Sequence, residues 1–251
     1  MQMKKIALGI LVALMVTCFF SCKKDYFFDT GVHDAKYNGT ILQYLKSNKV
    51  MFDTTVQVIN LAGMANVLET EQNITFFAPT SSSIVKSVIY LNRHLRLNGQ
   101  DTVADYRQIK PVVWRKILSQ YIFKGKNTLK DYPQLDTLAY AAYPGQAYAS
   151  YDGELMNIGV IYNDAGGVKY AGYRQLFLSY IQDRTQPTQS LINVPVATSD
   201  IQPTNGVIHV LRQARLAGDP IGSVVVNLHD FGFSKPLFVR EVLAAGIDPK
   251  P

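Results

Sequence analysis

Hydrophobic positions follow a helical spacing in the first half of the chain and a strand-like pattern in the second half. Up to about residue 120, apolar side chains recur every three or four residues, as they do on amphipathic helices. Beyond Tyr121, short apolar runs rich in tyrosine and β-branched residues alternate with turn residues, which is typical of strands. A helical half followed by a strand-rich half indicates an α+β domain.

The boundaries of the predicted elements come from capping and turn residues. Thr54 or Thr55 is the expected start of the second helix, and Gly63 marks a bend in it or its end. The predicted helices are Thr40 to Leu45, Thr54 or Thr55 to Leu68, Thr80 to Arg96, Pro111 to Leu118, and a short one at Leu237 to Leu243. The predicted strands are Asn73 to Ala78, Tyr121 to Phe123, Tyr151 to Tyr162, Val168 to Ile181, Leu191 to Ala197, Val207 to Leu211, and Val224 to Val226.

The phrase NITFFAPT, residues 73–80, joins the first strand to a helix. Pro79 has a fixed φ and favours an extended conformation at Ala78, so the strand ends here. Thr80 stands directly before a helical apolar pattern, where its hydroxyl can accept a hydrogen bond from a backbone N–H of the first turn. This phrase therefore predicts a strand, a corner and a helix start. Taken alone, it is typical of many α/β junctions.

A second phrase, NGVIHVL at residues 205–211, predicts a turn followed by a strand. Asn205 and Gly206 both tolerate a positive φ, which favours a tight turn, and His209 then lies inside a packed sheet. Two roles are open for His209: a ligand or catalytic base, or a structural histidine whose ring nitrogens bond nearby backbone or hydroxyl groups. The structural role is favoured, because no acid, serine or cysteine stands at a recognisable catalytic spacing from it.

Together, the two phrases resemble the two signature segments of the fasciclin-like domain family. The matching residues are Thr75, Phe77, Ala78, Pro79 and Thr80 in the first segment, and Asn205, Gly206, Val207, Ile208 and His209 in the second. The resemblance implies a fasciclin-like fold, with a wedge-shaped β-sandwich or β-sheet core and several helices packed from the N-terminal half. It also implies that the matching residues are structural. In some family members a Tyr-His pair has been linked to adhesion, but this chain has Gln120-Tyr121 there, so integrin-type adhesion is not carried over.

Ahead of this domain, the chain begins with a pattern typical of an export signal. Two lysines precede an apolar run from Ile6 to Phe20, which is too short for a comfortable membrane span. The Ser21-Cys22 pair that follows resembles a bacterial lipoprotein cleavage site. Either Cys22 becomes the lipidated first residue, or a signal peptidase cuts nearby and Cys22 is a lone thiol. The first interpretation is favoured, because the other cysteine of the chain, Cys18, lies inside the apolar run.

These patterns divide the chain into four segments. We expect a signal peptide at residues 1–21, a lipidated tether at 22–38, the fasciclin-like domain at 39–213 and a C-terminal extension at 214–251. A multiply acylated cysteine would hold the protein on a membrane rather than through it. The expected location is the cell envelope, as an outer-membrane lipoprotein exposed on the cell surface.

Charge and motif content exclude several classes of function. The formal net charge is +6, but the chain has no run of Lys and Arg, so we do not expect nucleic-acid binding. Clustered metal ligands, a Gly-rich phosphate loop and a Gly-x-Ser-x-Gly motif are all absent from the sequence. We therefore predict no metal, no cofactor, no catalytic residue and no enzymatic activity.

Tyrosines crowd residues 140–180, and the insertion between Asp136 and Tyr151 carries Tyr140, Tyr143 and Tyr148. Exposed tyrosines suit contacts with sugars or with protein partners. Tyrosines are also ordinary strand residues, so structural roles are expected for most of them. The three on this insertion are the candidates for contact with an extracellular glycan or protein partner. The expected protein is a lipid-anchored, non-enzymatic surface protein that acts in cell adhesion or binding. An alternative from another class is an accessory lipoprotein of an outer-membrane polysaccharide uptake complex.

Overall fold

The computed structural model describes residues 35–188, 190–212 and 230–251. The signal peptide, Cys22 and the predicted strand at Val224 to Val226 lie outside these residues. Residues from Ala35 to Pro251 belong to one unit with a shared core. No helix in the described part of the chain is long and apolar enough to cross a membrane.

Six α-helices and seven β-strands occur within the described residues. The helices are α1 Ile41–Ser47, α2 Lys49–Leu61, α3 Ala65–Thr70, α4 Ser81–Leu97, α5 Pro111–Ser119 and α6 Lys235–Ala245. The strands are β1 Ile74–Ala78, β2 Ile122–Lys124, β3 Gln146–Ala149, β4 Leu155–Tyr162, β5 Arg174–Ile181, β6 Leu191–Ile201 and β7 Gly206–Leu211. Short 3₁₀ turns lie at Tyr106–Gln108 and Leu129–Asp131.

The seven strands form one mixed sheet in the order β2-β1-β7-β6-β5-β4-β3. β1 and β7 run parallel, with Phe77 opposite His209, and all other neighbours are antiparallel. An antiparallel bridge between Phe123 and Ser150 brings the two edges of the sheet together. The sheet therefore curls into a nearly closed wall, which leaves little edge backbone unpaired.

The strands of the two phrases, β1 and β7, lie side by side in this sheet. Every residue of β1 and of β7 is buried, as expected for parallel neighbours that are covered on both faces. The helices pack beside them, with α2 against α4 and α5, and α6 against α4 and α5. This arrangement confirms the predicted α+β architecture of a sheet core with helices from the N-terminal half.

The described part of the C-terminal extension completes the helical side of the core. Phe233 stacks on Tyr121 with ring centroids 4.8 Å apart, and Phe238 lies 5.9 Å from Trp114. The backbone N–H of Gly232 donates a hydrogen bond to the Tyr121 hydroxyl at 2.9 Å. All four rings are buried, so residues 230–251 contribute side chains to the core and stabilise the domain.

The predicted start of the second helix is wrong. α2 begins at Lys49, ahead of both threonines. The hydrophobic pattern did not indicate this start because Val50 and Met51 in the first turn are exposed and do not belong to the buried face of the helix. Thr55 lies inside the helix, buried, and its hydroxyl donates to the Pro79 carbonyl at 2.9 Å. The expected interruption is confirmed, since the helix ends at Leu61 and Gly63 has φ +66°.

The second correction concerns the long hairpin. β4 and β5 pair antiparallel as predicted, but β5 begins at Arg174 rather than at Val168. Residues 163–173 instead form a wide loop in which Tyr170 has a positive φ of 62°. The side chain of Asp164 accepts a hydrogen bond from the Tyr170 N–H at 2.9 Å, which closes this loop on itself.

Candidate functional site

The strand-to-helix corner at Thr80 has the predicted backbone but not the predicted hydrogen bond. Thr80 has the extended conformation of a helix N-cap, with φ −83° and ψ 155°, directly before α4. Its hydroxyl lies 3.1 Å from the Ser82 hydroxyl and caps no backbone N–H. The expectation of a side-chain cap is therefore wrong. The Thr80 carbonyl instead accepts from the backbone N–H and the hydroxyl of Ser83.

Asn205 of the second phrase joins three separate parts of the domain. Its side-chain oxygen accepts from the N–H of Ile41 at 2.8 Å, in the first turn of α1. Its amide nitrogen donates to the carbonyls of Leu68 at 3.1 Å and Glu71 at 3.0 Å. Asn205 therefore satisfies backbone groups at the start of α1 and the end of α3, next to the first residue of β7.

The predicted positive φ at Asn205 and Gly206 is wrong. Neither residue has a positive φ. Glycine is required at position 206 by space, because a Cβ atom there would clash with the backbone oxygen of Ile74 on the neighbouring strand. The close approach of β1 and β7 sets this requirement.

His209 lies fully buried between β1 and the loop after β2. Its Nδ1 accepts from the N–H of Asp200 at 3.3 Å, and its Nε2 lies 3.0 Å from the Asn127 carbonyl, to which it donates. Both ring nitrogens are thus occupied by backbone groups in the neutral tautomer. Burial lowers the pKa of His209 to about 4. The geometry gives the ring a fixed structural position and leaves no nitrogen for a substrate.

The described residues contain no group of three or more His, Cys, Asp or Glu side chains that could hold a metal ion. The other motif positions, Thr75, Phe77, Ala78, Val207 and Ile208, are buried in the paired strands β1 and β7. The Thr75 hydroxyl donates to the Gly125 carbonyl at 2.7 Å and accepts from the Asn127 N–H at 3.0 Å. These residues form packing and backbone contacts, away from solvent.

The three candidate tyrosines lie in different surroundings. Tyr148 in β3 is half-buried and packs edge-on against Tyr132, with ring centroids 5.5 Å apart. The Tyr140 hydroxyl accepts from the Asn193 side chain at 3.0 Å. Tyr143 packs edge-on against Tyr170 from the β4–β5 loop at 5.8 Å. Of the three, Tyr143 is the one that the structure joins to a wider aromatic surface.

We call this wider area the tyrosine surface: Leu138, Tyr143, Val168, Tyr170 and Tyr173. The Tyr170 hydroxyl donates to the carboxylate of Asp136 at 2.8 Å, and the same carboxylate accepts from the Leu138 N–H at 2.8 Å. This hydrogen bond raises the pKa of Tyr170 to about 12. The outer members are open to solvent, with Leu138 97% exposed, Tyr173 63% and Val168 59%.

Cations border the tyrosine surface. The guanidinium of Arg174 lies 4.5 Å above the ring of Tyr162, and Lys169 is exposed in the same loop. The sequence pointed to the 136–151 insertion alone, and Leu138, Val168 and Tyr173 were missed as members. The signal was available only in the tertiary structure, where Tyr170 contacts Asp136 and Tyr143 and so joins the two loops.

Comparisons with known proteins bear on the fold. The family model for the fasciclin domain matches residues 50–214. Among solved structures, the chain is similar to a FAS1 domain pair from the insect cell adhesion molecule fasciclin I, at 19% identity and a TM-score of 0.44. The match covers 69% of this chain and 49% of that chain, so this chain spans about half the length of the pair. No curated protein matches the chain. Because the family model covers more than half of the chain, this protein belongs to the fasciclin domain family.

Proposed function

We propose that this protein is a lipid-anchored cell-surface protein that binds an extracellular glycan or protein partner through the tyrosine surface. Fasciclin domains are associated with cell adhesion or binding and are generally non-catalytic. The observation that carries the proposal is the pairing of two half-buried rings, Tyr143 and Tyr170, in the two loops that also carry the exposed residues Leu138, Val168 and Tyr173. The two phrases contribute buried contacts, so the proposal places the partner at the exposed loops instead.

The chemistry of this group suits recognition of a sugar face or of a protein side chain. A tyrosine ring offers a large, rigid apolar face at a small cost in side-chain entropy, with a hydroxyl at its edge. Asp136 fixes the Tyr170 hydroxyl, and Tyr170 in turn supports Tyr143, so these rings are held before a partner arrives. Preorganised aromatic contacts of this kind often dominate binding energy.

The proposed anchor is the acyl group on Cys22. Its support is the sequence pattern of an apolar run that ends at Ser21-Cys22. Metabolic labelling with a radioactive fatty acid tests it: the wild-type chain should be labelled, and Cys22→Ala should not. If the label persisted in Cys22→Ala, the proposed anchor would be contradicted, but the proposed binding through the tyrosine surface would be unaffected.

A glycan array tests the binding surface directly. The probe is the chain from Lys23 onward, which keeps the whole unit from Ala35 and lacks both cysteines. The double variant Tyr143→Ala, Tyr173→Ala should lose at least about tenfold in affinity for any glycan bound by the wild type, because central aromatic contacts contribute about 2 kcal/mol each.

The matched control is Tyr90→Ala, which removes a partly exposed tyrosine from α4. It should bind as tightly as the wild type. A double variant that keeps full affinity would refute the role of the tyrosine surface. Wild-type chain that binds no glycan but co-purifies with an outer-membrane transporter would favour the uptake-complex alternative.

A further inference from the structure

A second surface, separate from the tyrosine surface, lies on the longest helix. One side of α4 faces solvent and carries Lys86, Ile89, Tyr90, Arg93, Arg96 and Leu97. Their spacing places them on a single stripe. The opposite side carries the buried residues Ser83, Ile84, Ser87, Val88, Leu91 and Leu95, which pack into the core. α4 is therefore amphipathic, but its outer face is not purely polar.

The apolar members of this face are well exposed. Leu97 is 78% exposed, Ile89 59% and Tyr90 37%. Single exposed apolar side chains are ordinary on a protein surface. Three on one helical stripe form an apolar group that is left in water.

The charges on this helix all have one sign. α4 contains Lys86, Arg93 and Arg96 and no acidic residue. Arg93 and Arg96 are exposed and form no ion pair with another described residue. A like-charged face of this kind attracts an anionic partner.

The neighbouring helix adds a cation at the edge of the face. The ammonium of Lys235, at the start of α6, lies 5.9 Å from the centre of the Tyr90 ring. It also forms an ion pair with Asp230 at 3.5 Å, so the carboxylate compensates its charge. Among the described residues of this face, the positive charge without an ion pair therefore belongs to Arg93 and Arg96.

The combination of cations and exposed apolar side chains limits the chemical class of partner that fits this face. A soluble polyanion would satisfy the cations but would leave Ile89 and Leu97 in water. A membrane with anionic headgroups satisfies both, since phosphates meet the cations while the aliphatic side chains reach the boundary of the acyl chains. A helix face rich in Lys and Arg with aliphatic and aromatic residues between them is typical of such interfacial contacts.

We propose that the outer face of α4 is a membrane-contact site for an anionic lipid surface. Arg93 and Arg96 lie at the headgroup phosphates, and Ile89 and Leu97 enter the interface between headgroups and acyl chains. The contact requires neither the acyl group on Cys22 nor the tyrosine surface. In the anchored protein it fixes which side of the domain faces the bilayer and which side faces outward.

Vesicle co-sedimentation of the chain from Lys23 onward tests this contact without any lipid anchor. We expect binding to vesicles of equimolar phosphatidylcholine and phosphatidylglycerol, little binding to phosphatidylcholine alone, and weakening by added salt. The double variant Arg93→Glu, Leu97→Ser should lower the affinity by about fivefold or more, since each cation near an anionic surface contributes about that factor. Leu97→Ser alone should also weaken binding.

The matched control is Lys49→Glu, Val50→Ser, which makes the same chemical changes at exposed positions of α2. It should bind like the wild type, as should Tyr143→Ala, Tyr173→Ala, and unchanged circular dichroism should show that each variant is folded. Three results would each overturn the proposal: no binding to the anionic vesicles, an equal loss in the control, or full affinity in Leu97→Ser with competition by dextran sulfate. The last would identify a soluble polyanion as the partner. None of these outcomes alters the glycan-array result.

Discussion

Replacing Asn205 by alanine should destabilise the domain strongly, although no partner touches this residue. The variant removes one acceptor and one donor group that together bind Ile41, Leu68 and Glu71. The Ile41 N–H and the Leu68 carbonyl are left unpaired in buried positions, and each such group costs about 1–3 kcal/mol. The Glu71 carbonyl is only partly buried and can find water. The expected loss in the free energy of unfolding is therefore about 2–6 kcal/mol.

Urea unfolding followed by circular dichroism measures this loss, and a thermal melt should fall by about 10 °C. Asn98→Ala is the control, because the Asn98 side chain bonds the His94 carbonyl at 2.8 Å on the exposed end of α4. It should cost about 0.5 kcal/mol or less. The joining role of Asn205 would be refuted if the free energy of unfolding of Asn205→Ala lay within about 1 kcal/mol of the wild-type value, with an unchanged slope against urea. This limit is set by the small effects of ordinary surface variants.

Three further predictions concern the buried interior. Burial lowers the pKa of His209 in the folded protein to about 4, below its value of 6.5 in the unfolded chain, so unfolding takes up a proton in this pH range. The free energy of unfolding should therefore fall by about 3 kcal/mol between pH 6.5 and pH 4. In His209→Gln, a series of urea unfolding midpoints measured against pH should be flatter over the same range. Gly206→Ala should cost more than about 2 kcal/mol because of the Ile74 backbone, whereas Gly99→Ala, with open space and φ +67°, should cost about 1 kcal/mol in calorimetry. Deleting residues 230–251 should expose Trp114, the sole tryptophan, and shift its fluorescence emission to the red; an unchanged spectrum would show that the extension does not cover the core.

Local signals in the sequence predicted the order of most elements. Pro79 ended β1 and Pro111 started α5 as expected, because the ring of proline acts on its own residue and its neighbour. Thr40 also caps α1 as predicted, with its hydroxyl accepting from the Gln43 N–H at 3.2 Å. These features depend on contacts within a few residues, which a single sequence displays.

Features that depend on distant partners could not be read in this way. The contact of Asn205 with Ile41 spans 164 residues, and nothing near either residue signals it. The reason for Gly206, its close approach to Ile74, is likewise a property of the β1–β7 pairing. The start of α2 was missed because its first turn faces solvent and lacks an apolar stripe.

The candidate site shows the same division. The insertion with Tyr143 stood out by its tyrosine content, but Tyr170 and Tyr173 belong to the β4–β5 loop, which meets the insertion only through tertiary contacts. Side-chain contacts separated the candidates, since Tyr148 packs against the buried Tyr132 and Tyr143 packs against Tyr170. Composition therefore located the region, and tertiary packing selected its members.

Hydrogen exchange with a bound glycan tests most directly whether binding uses the two exposed loops and not the buried phrases. The chain from Lys23 onward is measured with and without a glycan identified on the array. Protection confined to residues 136–143 and 163–173 is the predicted result. Slower exchange in β1 and β7, with no change in those two loops, would contradict this prediction.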